Sequence, residues 1–206
     1  MAEKRADGGT KAGSMVMDGR ERLPPLPESA WTEEQRAAVK AFSEGRGYAP
    51  LGPFWVLLYS PEVMLRAKAM GDYLRYRNSL PKDISELVIL MTAREWTQQF
   101  EWGHHVVFAR EAGLSDQVID AIAEGRRPDG MSLREAVAWD FTRELLANRR
   151  VSDATYGRAK DQFGEKGVVD MAAVSGYYTM LAMVMNVAET PAPVDRDDRI
   201  KVWTGG

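Results

Sequence analysis

The chain has 206 residues, 45% of them hydrophobic and 28% charged, which is ample for one continuous core and excludes a wholly disordered protein. Its formal net charge of −3 gives no electrostatic footprint for nucleic acid, because phosphate binding draws on clustered Lys and Arg in excess of the acids. It contains no cysteine, so disulfides, thiolate nucleophiles, Cys-ligated zinc and iron–sulfur clusters are all excluded.

Residues 1–22 are charged and Gly-rich and lack the apolar stretch of a secretory signal, so they are expected to form a flexible tail in a cytoplasmic protein. Residues 23–193 are expected to form a single domain, followed by a second tail over 194–206. The run Leu23-Pro-Pro-Leu-Pro27 predicts an extended segment laid across the domain. Thr32-Glu-Glu-Gln35 has the pattern of a capping box and predicts a helix that ends near Gly45 and Gly47. Two prolines and two large aromatics in Tyr48–Trp55 predict a rigid loop packed on the body. Ser60-Pro61 opens the next helix, with Ser as cap and Pro in the first turn.

Pro81 sets the start of a helix over Lys82–Thr97, whose apolar residues cover almost every face and therefore demand burial. A helix over Gln98–Glu111 follows, then one over Gln117–Glu124 capped by Ser115-Asp116 and ended by Gly125. Ser132-Leu-Arg-Glu135 is a second capping box, opening a helix to about Asn148. Ser152-Asp153 begins another that Gly164 closes, and the last long helix spans Lys166–Glu189 before Pro191 and Pro193. Its stretch Met171–Ala188 carries no charge over 18 residues, but its Ser, Tyr, Thr and Asn side chains favour a buried core or subunit-interface helix over a membrane span. No run alternates apolar and polar residues with hairpin turns, so the expected class is all-α, a compact bundle of about seven to nine helices by its capping signals.

Chemistry concentrates between Glu86 and His105. Glu86 is a carboxylate among aliphatics, and such a group needs a donor or a proton to be buried. Gln98, Glu101 and His105 are spaced to share one helical stripe, with Trp102 and Phe108 nearby. Packed against the Glu86 helix, that stripe would bring two carboxylates and an imidazole into an apolar setting suited to proton transfer. The structural alternative is a helix-stabilising Glu101–His105 pair worth ~0.3–0.5 kcal/mol. A metal held by Glu and His is a further alternative, weakened because His104 and His105 point about 100° apart on a helix. Which of the two histidines faces the pocket stays open at this point.

The apolar helix with Glu86, the positions Gln98 and Glu101 three apart, His105 four further on, and the Ala112-Gly-Leu-Ser115 and Val118-Ile-Asp-Ala-Ile122 runs together resemble the carboxymuconolactone decarboxylase and alkylhydroperoxidase-D superfamily. The resemblance spans about Pro53 to Pro193 and implies an alkylhydroperoxidase-D-like helical fold assembled as trimers or hexamers. In the peroxidase branch the relay Glu matches Glu86, the redox cysteines match Gln98 and Glu101, and the relay His matches His105; both cysteine positions are replaced, so thiol peroxidase activity does not carry over. The cysteine-independent decarboxylase branch is closer around Phe100-Glu-Trp-Gly-His-His105.

The resemblance implies a cofactor-independent lyase or isomerase acting on a small oxygenated, carboxylated ring compound, with His105, Glu101 and Glu86 as catalytic residues. Gln98, Trp102, Tyr178 and Asn186 are candidate substrate contacts, and no metal or cofactor is expected. Two other function classes fit the same residues: a non-catalytic small-molecule-binding or scaffold protein, and a metal-dependent oxygen-utilising enzyme binding its metal at Glu86, Glu101 and His105.

Overall fold

The computed structural model describes residues 21–192 and 200–201. Among these are eight α-helices and no strand: α1 (Glu33–Arg46), α2 (Pro53–Leu57), α3 (Pro61–Tyr76), α4 (Lys82–Glu95), α5 (Gln99–Glu111), α6 (Asp116–Ala123), α7 (Leu133–Asn148) and α8 (Asp153–Ala188). The class is all-α, as the sequence predicts. Both capping boxes form, at Thr32 and Ser132, with the side chain of each cap accepting from the N3 amide while the N3 side chain reaches back.

Two local expectations need correction. Pro53 does not continue a loop but starts the short helix α2, since Gly52 turns the chain at φ 52° and Pro fits the first helical turn. Ser60 precedes α3 without a side-chain capping bond. The break expected at Gly164 is present: at φ 71° and ψ 173° its backbone is not helical, and α8 is two helical stretches joined across a kink there.

Helix α4 is the centre. Ile84, Leu87, Val88, Ile89, Leu90, Met91, Thr92 and Ala93 are all buried, and α5, α6, α7 and α8 pack around it. A helix that is apolar on nearly all sides has no solvent face to offer, so its neighbours must enclose it. On the other side of α8 lie α2 and α3, and α1 packs on α3. Helix α8 is long and apolar enough to cross a membrane, yet 56% of its most apolar window is buried in the bundle.

Two polar anchors fix the elements that carry the site. Asp170 of α8, 3% exposed, accepts hydrogen bonds from the Tyr73 hydroxyl (2.9 Å), the Ser79 amide (2.8 Å) and the Ser79 hydroxyl (2.7 Å), locking the α3–α4 connection onto α8. Burial opposes its ionisation, but these donors prevail and hold its carboxyl below the usual range. At the other end, the Gln98 side chain accepts from the Phe100 and Glu101 amides (2.7 and 3.3 Å) and donates to Asn186 Oδ1 (2.9 Å), while Asn186 Nδ2 donates to the Trp96 carbonyl (2.9 Å). This clasp ties the α4–α5 corner to α8.

The expected tails fall largely on residues outside the described ones. Where they are described they are docked: the Arg22 amide donates to the Ala188 carbonyl (2.8 Å), and Ile200, 3% exposed, exchanges backbone bonds with the Gln99 side chain.

Asp170→Asn should lower the unfolding free energy at neutral pH by about 1–3 kcal/mol, because an amide cannot accept all three bonds. A carboxyl whose folded pKa is depressed contributes stability above its unfolded value, near 3.8, and loses it as pH falls through the folded pKa. Urea unfolding should therefore show the cost of the substitution shrinking as the solution is acidified below that point; a pH-independent cost would contradict the ionised assignment.

Candidate active site

Helix α4 sends Glu86 outward from the core, and α5 crosses it so that Glu86 Oε2 and His105 Nδ1 meet at 2.7 Å. The His105 side chain is 4% exposed and that of Glu86 14%. A carboxylate at Nδ1 fixes the ring orientation and leaves Nε2 as the nitrogen available for exchange. Tyr178 of α8 stands edge-on to the His105 ring, centroids 4.9 Å apart, and burial keeps its phenol protonated, well above its usual range.

Glu101 lies one turn before His105. It is 3% exposed, and neither carboxyl oxygen has a hydrogen-bond partner among the described residues. Burial pushes its pKa well above the usual carboxylate range. Its place in the first turn of α5 pulls the other way, since a helix N-terminus favours an anion, but that effect is at most ~2 kcal/mol. Desolvating an unpaired carboxylate costs several kcal/mol, so the neutral acid wins.

Glu101, His104 and His105 line one small cavity together with Phe100, Phe54 and Tyr178. Its volume is about 50 Å³, and since one water needs roughly 10–15 Å³ on this measure, it suits a few waters or a small ligand. Arg46, Arg75 and Tyr177 complete its polar lining, and Leu181 and Met185 its apolar floor. Beyond it runs a wider groove of about 850 Å³ lined by Glu86, Ser85, Phe108 and Tyr76, with Tyr48, Leu51, Arg75 and His104 shared between the two. The Glu86–His105 pair thus stands in the wall, with His105 on the cavity and Glu86 on the groove.

The residues singled out in the sequence are distributed as follows. Glu86, Glu101, His105 and Tyr178 come together. Gln98, Trp102 and Asn186 are not among the cavity-lining residues: Gln98 is the N-cap of α5 rather than a member of its face, Asn186 is its partner in the corner clasp, and Trp102, 2% exposed, is core. Both histidines reach the cavity. His105 is the one bonded to Glu86, whereas His104 stacks on Phe100 and meets Phe108 edge-on. Among the described residues no three His, Asp or Glu side chains form a group able to hold a metal ion, so the trio that the metal-dependent alternative needs is not a ligand set.

Arg46 and Arg75 were missed in sequence. Arg46 ends α1, where a cation reads as a dipole partner. Here its Nε donates to Asp72 Oδ1 at 2.8 Å, and its guanidinium lies 4.9 and 4.7 Å from the Phe42 and Phe54 ring centroids. The only local hint is the i, i+4 spacing of Phe42 and Arg46. Arg75 lies over Phe108 at 5.1 Å.

Residues 61–144 match the family model described as the carboxymuconolactone decarboxylase family. Among curated proteins no sequence matches. In fold the chain is similar to an uncharacterized peroxidase-related protein with the alkylhydroperoxidase AhpD core from Ralstonia eutropha JMP134 (TM-score 0.68, 17% identity, 85% of this chain and 93% of that one). It is also similar to a debrominase solved in complex with 2,3,4-tribromopyrrole (TM-score 0.62, 10% identity, 84% and 91%). A third likeness is to a protein of unknown function from Agrobacterium tumefaciens (TM-score 0.56, 17% identity, 68% and 96%). At these identities the likenesses establish the alkylhydroperoxidase-D-like fold, and over residues 61–144, from α3 into α7, the cysteine-free chain is similar to the carboxymuconolactone decarboxylase family.

Proposed function

We propose that the protein is a cofactor-independent lyase or isomerase that uses Glu101, His105 and Glu86 for acid–base chemistry on a small, oxygenated and carboxylated ring compound. The observation that carries this reading is the pairing, in one cavity, of a neutral buried acid with an imidazole oriented by a carboxylate. For an unsaturated carboxylated lactone, the bond to the carboxylate breaks and its electron pair moves into the conjugated system. The carbon at the far end takes the Glu101 proton, and CO₂ leaves. The reaction consumes one proton in net, which Glu86 draws from the groove and His105 passes to the cavity. Oxygen atoms of the ring would sit near the Tyr178 hydroxyl, a donor that burial keeps protonated. A protein of the same fold has been solved in complex with a five-membered ring compound. On this reading the protein works in the cytoplasm as a homo-oligomer without metal or cofactor.

The test is a panel of ¹³C-carboxyl-labelled unsaturated five-membered lactones incubated in D₂O and followed by NMR. Release of labelled CO₂ with one deuterium placed on the ring is expected. Silence across the panel, or the same turnover without enzyme dependence, would overturn the reading. His105→Ala should lower kcat by about 10²–10⁴-fold with helicity and oligomer size retained; unfolding of that variant together with unchanged turnover by Glu86→Gln would make the pair structural.

The protonation state of Glu101 has its own signature. Its folded pKa lies above the unfolded value near 4.5, so its contribution to stability is full below that value and is lost as pH rises toward the folded pKa. Glu101→Gln removes the titration without removing the shape. Urea unfolding between about pH 5 and pH 8 should show wild-type stability declining by up to ~1.4 kcal/mol per pH unit more steeply than the variant. Parallel slopes would mean that Glu101 is ionised, and the proton donor would have to be sought elsewhere.

A further inference from the structure

Arg46 is held more tightly than a helix-end cation requires. Its side chain is 5% exposed. One edge is engaged by Asp72 at 2.8 Å, and its faces are flanked by Phe42 and Phe54. Of its two terminal nitrogens, Nη2 is buried without a close hydrogen-bond partner among the described residues, with the Tyr177 hydroxyl standing beside it, on a side chain that lines the cavity. Gly71 shows how the seat is kept open: a Cβ there would lie 2.3 Å from the Tyr177 hydroxyl and 3.2 Å from Arg46 Nη2, so the two donors converge over a position that only hydrogen can occupy.

The charge balance points the same way. Asp72 is shared between Arg46 and Lys68, whose Nζ is 2.7 Å from Oδ2, so one carboxylate faces two cations. Arg75 also lines the cavity, and among the described residues no carboxylate lies within ion-pair distance of it. The remaining acid of the cavity, Glu101, is the neutral one. A buried guanidinium nitrogen left unmatched is costly, and a carboxylate oxygen is its strongest partner.

We propose that Arg46, assisted by Arg75 and the Tyr177 hydroxyl, is the seat for the carboxylate of a small flat monoanion whose ring lies against Phe54, Phe100 and Leu181. The inference rests on the acid–base reading only in taking this cavity as the substrate site. It adds which end of the substrate goes where: the anionic group toward α1 and the reacting carbon toward α5. Arg46 lies on α1, outside the residues matched by the family model.

The test is binding, independent of turnover. Wild-type protein is titrated with sodium 2-furoate and with its neutral isostere 2-furamide at matched ionic strength, followed by ¹H–¹⁵N NMR. Furoate should saturate, and furamide should bind about tenfold or more weaker. Arg46→Met should weaken furoate by about tenfold or more and leave furamide unchanged, and Arg46→Lys should fall between because it keeps charge without the planar fork. Should Arg46→Met fail to fold, Arg75→Met and the wild-type furoate/furamide ratio decide. Equal affinity for the two probes, no furoate binding at millimolar concentration, or full affinity in a folded Arg46→Met protein would each overturn the seat and leave Arg46 as a clamp between α1 and α3. Glu101→Gln should bind furoate as wild type does; turnover surviving in that variant would overturn the acid–base reading while leaving the seat intact.

Discussion

The structure depends on the enclosure of α4. Its aliphatic side chains point in nearly every direction, so no arrangement that leaves one face in water is stable, and α5, α6, α7 and α8 are drawn around it. Enclosure leaves little room for a carboxylate. Glu86 is accommodated only because α5 crosses where His105 can take its oxygen and because the groove gives its other edge some water. The same requirement that builds the core therefore places an oriented imidazole beside a cavity.

Two buried carboxyl groups meet opposite fates, and magnitudes explain why. Asp170 is as buried as Glu101 by exposure, yet three donors converge on it and it stays ionised. Glu101 has only the helix terminus to favour its charge, which is too weak against desolvation. One residue is an ionised anchor, the other a neutral buried acid. The difference lies in their neighbours rather than in their depth.

Much of this was legible in the sequence. Capping boxes, Pro–Gly punctuation and the all-round apolar pattern of Lys82–Glu95 specify most helices, because those signals act within a few residues of the element they delimit. Glu86, Glu101 and His105 were legible because polar groups on an apolar helix are expensive and share a period. Gln98 was misplaced by the same periodicity: it sits one position before the helix proper, where its side chain caps rather than projects. Arg46 and Arg75 were not legible. Their place on the cavity depends on α1, α3 and α8 converging, and no spacing along one helix reports a contact between three.

The corner formed by Gln98 also limits what chemistry this position can take up. The resemblance places a redox cysteine of the peroxidase branch at this position, where helix-terminal amides would steady a thiolate. In this chain the Phe100 and Glu101 amides are already bound to the Gln98 carbonyl, and the amide end of the same side chain holds Asn186. A single substitution of Gln98 by cysteine would remove the α5 cap and the bond to Asn186 together. A thiol at this position would therefore need another group to cap α5 and another partner for Asn186.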